Sequence, residues 1–188
     1  MGNREDLLDG ARKAILERGL AKVTARDIAT AAGVSLAAIG YHFGSKEQLI
    51  TQALTEGLGG GIGDRMDEVI RAGEHPLSHG MGEIWTRLLA ILRDNREGMT
   101  LSMEHLVRVA RSEQSRAYMA EASEHAYADL TRSLRDTYPD LTDEQARALG
   151  KLVFTLFQGV AVLWLAAPDL ELLDGADLTT AVEALNSL

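Results

Sequence analysis

Several groupings in this 188-residue chain have the residue types that chemistry would need, and most fail on spacing. Gly33-Val34-Ser35-Leu36-Ala37 approaches the Gly-x-Ser-x-Gly elbow that exposes a nucleophilic serine. Ala37 stands where the last glycine is required, and no strand pattern precedes the run. Gly57-Leu58-Gly59-Gly60-Gly61-Ile62-Gly63 invites a phosphate loop, but a dinucleotide fingerprint begun at Gly57 needs glycine at Ile62, and no Gly-Lys-Ser/Thr follows. A weakened helix or hinge is the simpler account of it. His75 and His79 are four apart, yet Pro76 lies between them and no carboxylate cluster completes a metal site. Zero cysteines remove disulfides, thiol catalysis and thiolate ligands together. The expectation is a protein that is not an enzyme and uses no metal or cofactor.

One segment survives this test, residues 24–49, TARDIATAAGVSLAAIGYHFGSKEQL. Ser45 can cap a helix whose first turn carries Lys46, where free backbone N–H groups already favour an anion. Thr24 can cap an earlier helix, with Asp27 three residues on supporting its first turn. Gly33 supplies the positive φ of a tight helix–helix turn, and Ala29 is small enough for a second helix to cross above it. Ile28, Ala32, Val34, Ile39 and Phe43 then form a miniature core. This is the make-up of a helix-turn-helix. Taken alone, Tyr41 and His42 are equally an amphipathic pair covering that core, and Arg26 an i, i+3 partner on its own helix.

The charge pattern fits an approach to a polyanion only when divided. The chain carries a net charge of −9, but residues 1–50 hold seven bases and six acids, and residues 51–188 hold 12 bases and 22 acids. The acidity belongs to the second part.

The elements that must position these residues are helices. Leu7, Ala11, Ala14 and Ile15 make one apolar face of a first helix ending at Gly19. Met81, Ile84, Trp85, Leu88, Leu89 and Leu92 follow the helical spacing. So do Met99, Met103, Leu106, Val107 and Ala110, and again Met119, Ala122, Ala126, Leu130 and Leu134. Thr142 and Gln145 form a capping box for a helix that runs to about Ala167, before Pro168. Leu178, Ala181, Val182 and Leu185 give a last helix, with Asp177 as its expected cap. No stretch alternates like a strand, so the fold expected is all-α with about nine helices. Leu152–Ala167 has 13 apolar residues in 16, short of the roughly 20 a membrane span needs. The N-terminus shows no apolar signal region. A cytoplasmic protein without membrane association is expected.

The run GVSLAAIGYHFGSKEQL resembles the DNA-binding signature of the TetR family of transcriptional regulators, the tight match covering about residues 7–55. The resemblance implies a helix-turn-helix DNA-binding domain over 1–50 and a larger helical ligand-binding and dimerisation domain over 51–188. It implies a homodimeric regulator, in most members a repressor, that binds double-stranded DNA at a near-palindromic operator and is released by a small-molecule effector. Position by position, Thr24 and Arg26 match the start of the family's second helix, which contacts phosphates and sometimes bases. Ser35, Leu36 and Ala37 match the leading edge of the recognition helix, and Tyr41, His42 and Lys46 match phosphate-contacting positions. Gly40 departs from the family's frequent tyrosine, and Leu36 and Ala37 offer no hydrogen bonds, so readout there leans on apolar contact with thymine methyls or on backbone approach. Arg26 becomes the candidate for a bidentate guanine contact.

The nearly all-round apolar 152–167 stretch points to a homodimer through its helix and the last one. An apolar effector pocket is expected from Trp85, Met99, Met103, Tyr118 and Phe157, with His105, His125 and Gln158 as orienting polar groups. Plain helix packing accounts for the first five equally well. The Lys46–Gly57 helix would act as a lever, pivoting at the glycine run. The alternative is an all-α small-molecule binding or scaffold protein that never touches DNA; such a protein has no reason to leave residues 1–50 near neutral.

Overall fold

Gly33 has φ +67°, and the turn it permits sets the geometry of the N-terminal helices. Its N–H donates to the Thr30 carbonyl at 3.2 Å, and the Val34 N–H donates to Ala29 at 3.1 Å, the paired bonds of a Schellman ending. The computed structural model describes residues 3–73 and 77–187, and all of their side chains except 58–60, 78, 79 and 186. The His75/His79 pairing and the break at Pro76 therefore lie outside the described residues.

The helices are α1 (Asn3–Arg18), α2 (Ala25–Ala32), α3 (Ala37–Phe43), α4 (Lys46–Leu54), a π-turn (Thr55–Gly59), α5 (Gly60–Arg71), α6 (Leu77–Asp94), α7 (Arg96–Ala110), α8 (Glu113–Thr137), α9 (Asp143–Ala166) and α10 (Gly175–Asn186). The described residues contain no strand. Because α4, the π-turn and α5 run on without a break, the described residues form nine continuous helices, and the fold is all-α. The glycine run does not interrupt its helix; it follows and overlaps a turn wound one residue wider than an α-turn, a feature frequent at functional positions.

The chain forms two compact units, Met1–Gly61 with Thr100–Ala122, and Ile62–Met99 with Ser123–Leu188. The expected division after residue 50 falls inside α4. The first unit extends further because Leu101 packs on its core and Ser115 hydrogen-bonds Thr51 at 3.3 Å. That core is built from Leu7, Leu8 and Ile15 of α1, Ile28 of α2, Ile39 and Phe43 of α3, and Leu49 and Ile50 of α4. Each such side chain contributes about 1.5–3 kcal/mol when fully buried. Ala32 and Val34 pack at its edge.

The second unit is centred on Trp85, Leu88, Ile91 and Leu92 of α6 with Phe157, Val160 and Ala161 of α9. Here α10 crosses α6 at two glycines: a Cβ on Gly82 would sit 2.5 Å from the Gly175 carbonyl oxygen. Thr86 and Thr179 each donate to the carbonyl of the glycine one turn earlier, Gly82 and Gly175, at 2.9 Å.

Two expectations about helices change. The cap of α10 is Asp174, not Asp177: the Asp174 carboxylate accepts from the Asp177 N–H at 2.9 Å, which makes Asp177 the third residue of a capping box. Along α7, Met99 is buried but Leu106 and Val107 are 47% and 56% exposed, while His105 and Val109 are buried. Residues 96–99 of this helix belong to the second unit and residues 100–110 to the first. The Thr142–Gln145 box and the end of α9 at Ala166 are as expected. By length and composition α9, 24 residues with a mean hydropathy of 1.7 in its most apolar stretch, is long and apolar enough to cross a membrane. Val153, Phe157, Val160 and Ala161 on one side of it are buried in the second unit.

Candidate nucleic-acid interface

The candidate interface begins with a helix that shows two opposed surfaces. Ala38, Ile39 and Phe43 turn α3 into the core. Ser35, Leu36, Ala37, Gly40 and Tyr41 are consequently exposed. Leu36 is 50% exposed and Tyr41 85%, unusual for side chains of their size and polarity. Leu36 stands at the helix start without a side-chain cap, and the Ala38 N–H bonds back to the Ser35 carbonyl at 3.0 Å. His42 is half-buried, its ring meeting Tyr41 edge-on at 4.8 Å and 87°.

α2 is fixed by a reciprocal cap. The Thr24 hydroxyl accepts from the Asp27 N–H at 3.2 Å and donates to its carboxylate at 2.7 Å, and the Thr24 N–H donates to the same carboxylate at 3.0 Å. Hydrogen bonds from the Thr24 hydroxyl and amide, and then the nearby Arg18 at 3.1 Å, hold Asp27 below the usual carboxylate range. Arg26 is exposed and makes no hydrogen bond or ion pair among the described residues.

Ser45 caps α4 by accepting from the Gln48 N–H at 3.1 Å. Lys46, in the first turn, donates from Nζ to the Val23 carbonyl at 3.3 Å and lies 3.7 Å from Glu47. It therefore ties the start of α4 to the residue before the α2 cap. Thr24, Arg26, Ser35, Leu36, Ala37, Tyr41, His42 and Lys46 all belong to the first unit. What they present chemically is one free guanidinium, an ammonium beside a helix start, a phenol and a small apolar edge.

Behind α3 lies a polar network that the sequence did not announce. Arg4 of α1 donates to Gln52 at 3.1 Å and to Glu56 in the π-turn at 2.9 Å, with its guanidinium 5.6 Å from the Phe43 ring centre. The Tyr118 hydroxyl donates to the same Glu56 carboxylate at 3.1 Å. Burial, and then the Glu56 charge, push the Tyr118 phenol up to about 12. These partners are 48 to 62 residues apart in sequence, beyond any local pattern.

The residues expected around an effector are distributed over both units. Trp85, Met99 and Phe157 are buried in the second core, where the Trp85 indole N–H donates to the Leu173 carbonyl at 2.8 Å. Met103, His105 and Tyr118 belong to the first unit, while His125 and Gln158 are exposed. His105 is buried with neither ring nitrogen hydrogen-bonded among the described residues. Burial, and then Arg108, lower its pKa. Among the described residues no group of three His, Asp or Glu could hold a metal ion.

Residues 7–53 match the family described as bacterial regulatory proteins, tetR family. This N-terminal domain belongs to the tetR family. Over 53 residues it is 45% identical to the HTH-type transcriptional repressor KstR2 of Rhodococcus jostii, a match that covers 28% of this chain and 26% of that protein. The chain thus aligns with about a quarter of that relative's length. The helices beyond the tetR-family domain are matched by fold. A proposed transcriptional regulator from Rhodococcus sp. RHA1 superposes with a TM-score of 0.69 at 17% identity, covering 97% of this chain and 94% of that one. Another from Streptomyces coelicolor A3(2) gives 0.65 at 26% identity, covering 98% and 96%.

Proposed function

We propose that this chain is a DNA-binding transcriptional regulator, a repressor that binds a near-palindromic operator as a homodimer and is released by a small apolar molecule. The observation that carries the reading is the exposed face of α3. Ser35, Leu36, Ala37 and Tyr41 stand opposite the buried Ile39 and Phe43. The unpaired Arg26 belongs to the same unit, as does Lys46 at the start of α4. Ser35, Leu36 and Ala37 meet base edges, Arg26 reads a guanine, and Thr24, Tyr41, His42 and Lys46 hold phosphates.

The homodimer rests on α9. Ala148, Leu152, Thr155, Gly159, Val162 and Ala166 recur at helical spacing on its exposed side. Leu152 and Val162 are 51% and 42% exposed, and a second copy would cover such a stripe. Two recognition helices would then address half-sites about one helical turn apart.

Selection of bound sequences from random DNA, followed by anisotropy titrations at two salt concentrations, tests the reading. A recovered inverted repeat and a steep fall of affinity with salt are the expected result. Equal affinity for all sequences with no salt dependence would sink it.

A further inference from the structure

We propose that Gly40 is a specificity-determining residue of the DNA interface: the side chain it lacks leaves a notch on α3 that takes the 5-methyl group of a thymine. This role rests on the DNA-binding function proposed above and specifies one base group that it reads.

Glycine serves a chain by adopting a positive φ, by letting two parts of the fold touch, or by letting a ligand approach the backbone. The first does not apply here. The glycines with positive φ are Gly19, Gly33 and Gly44, and Gly40 lies inside α3. Its carbonyl accepts from the Gly44 N–H at 3.1 Å, a bond that any residue at this position would make. The second does not apply either. A Cβ on Gly40 would meet nothing within 4 Å among the described residues, whereas one on Gly10 or Gly82 would strike backbone atoms of a neighbouring helix. The third remains.

Glycine weakens α3 where the helix has little to spare. It has seven residues, starts at Leu36 without a side-chain cap, and is held by Ala38, Ile39 and Phe43 in the core. At an exposed position in so short a helix, alanine would serve folding better.

The surroundings of Gly40 name the group it receives. Leu36 and Ala37, four and three residues earlier, are its neighbours on the exposed face of the helix, and Leu36 is 50% exposed. None of these three has a side chain that can hydrogen-bond. The gap is therefore apolar, and the missing Cβ is itself a methyl's worth of space. On the base edges of the major groove the apolar group is the thymine methyl.

The duplex recovered by selection from random DNA is titrated with the parent and with Gly40→Ala. Each thymine of a half-site is replaced in turn by uracil, which deletes only the methyl. Gly40→Ala should raise the thermal midpoint by about 1–4 °C, since nothing in the chain meets the new methyl. It should nonetheless weaken the thymine duplex by about tenfold, the scale of overfilling a packed contact by one methyl. At one position uracil should weaken the parent, and at that position alone it should return to Gly40→Ala part of the lost affinity. A change confined to the helicity of α3 would act on every duplex alike and give no such rescue. Parent-like affinity of Gly40→Ala for the thymine duplex overturns the proposal, as does a loss that no uracil relieves, or a lowered thermal midpoint. A parent that binds no DNA overturns the regulator as well, whereas a parent that binds its selected sequence no better than Gly40→Ala does overturns the notch alone.

Discussion

Gly10 of α1 lies against Ala32 of α2 so closely that a methyl group on Gly10 would come within 2.6 Å of the Ala32 Cβ and 2.7 Å of its backbone nitrogen. The two helices therefore touch backbone to backbone, one residue before the turn glycine that orients α3. Gly10→Ala should gain up to about 1 kcal/mol of helix propensity and lose about 1–3 kcal/mol to overpacking. The expected net result is a lower thermal midpoint and weaker DNA binding together. A midpoint at or above the parent's would show that the crossing yields easily.

Removal of single DNA contacts should separate positioning from reading. Tyr41→Ala and Lys46→Ala should each weaken all sequences alike and lower the salt slope by about one unit. Arg26→Ala should instead lose about 1–3 kcal/mol of discrimination at one base pair. Because Lys46 also holds the Val23 carbonyl, its variant needs a thermal midpoint measured alongside. Parent-like titrations for Tyr41→Ala and Lys46→Ala would remove them from the interface.

The dimer face can be broken without touching either core. Leu152 and Val162 are both exposed on α9, so the double variant Leu152→Glu, Val162→Glu should sediment as a monomer where the parent sediments as a dimer. Operator affinity should fall with it, since each half-site would bind alone. A parent that is itself a monomer at micromolar concentration would end the prediction.

His105 gives the protein an acid-sensitive point. Its folded pKa is lowered from the ordinary 6.5, so on acidification the unfolded chain takes up the proton first. The stability it contributes is complete above that ordinary value and falls as pH drops toward the lowered folded value. Thermal midpoints between about pH 7 and about pH 5 should therefore decline more steeply in the parent than in His105→Leu. Identical slopes would assign the decline to other groups.

The helix-turn-helix was legible because its determinants are local. The Thr24–Asp27 box, Gly33 and the Ser45 cap each act within four residues, and all appear where the sequence places them. The cap of α10 is less legible: Asp174 and Asp177 are both good caps, and only the extended backbone at Asp174 with its reciprocal bonds to Asp177 decides between them. Periodicity also misplaced Leu106 and Val107, because it records that a helix has an apolar side and not which neighbour receives it. Gly10 and the Glu56 network depend on partners far away in sequence, and no spacing rule reaches them.

The bond from Trp85 to Leu173 spans 88 residues, which gives the second unit a timetable. At a synthesis rate of about 5–20 residues per second, the indole is made roughly 4–18 s before its acceptor. Throughout that interval α6 has its apolar side and its Gly82 notch without α10 to fill them. The nascent chain therefore carries an open hydrophobic helix until residues near 175–186 leave the ribosome, and it should be a client of ribosome-associated chaperones. Ribosome-bound chains halted before residue 170 would expose Trp85 to solvent quenchers, and chains extended past α10 would shield it.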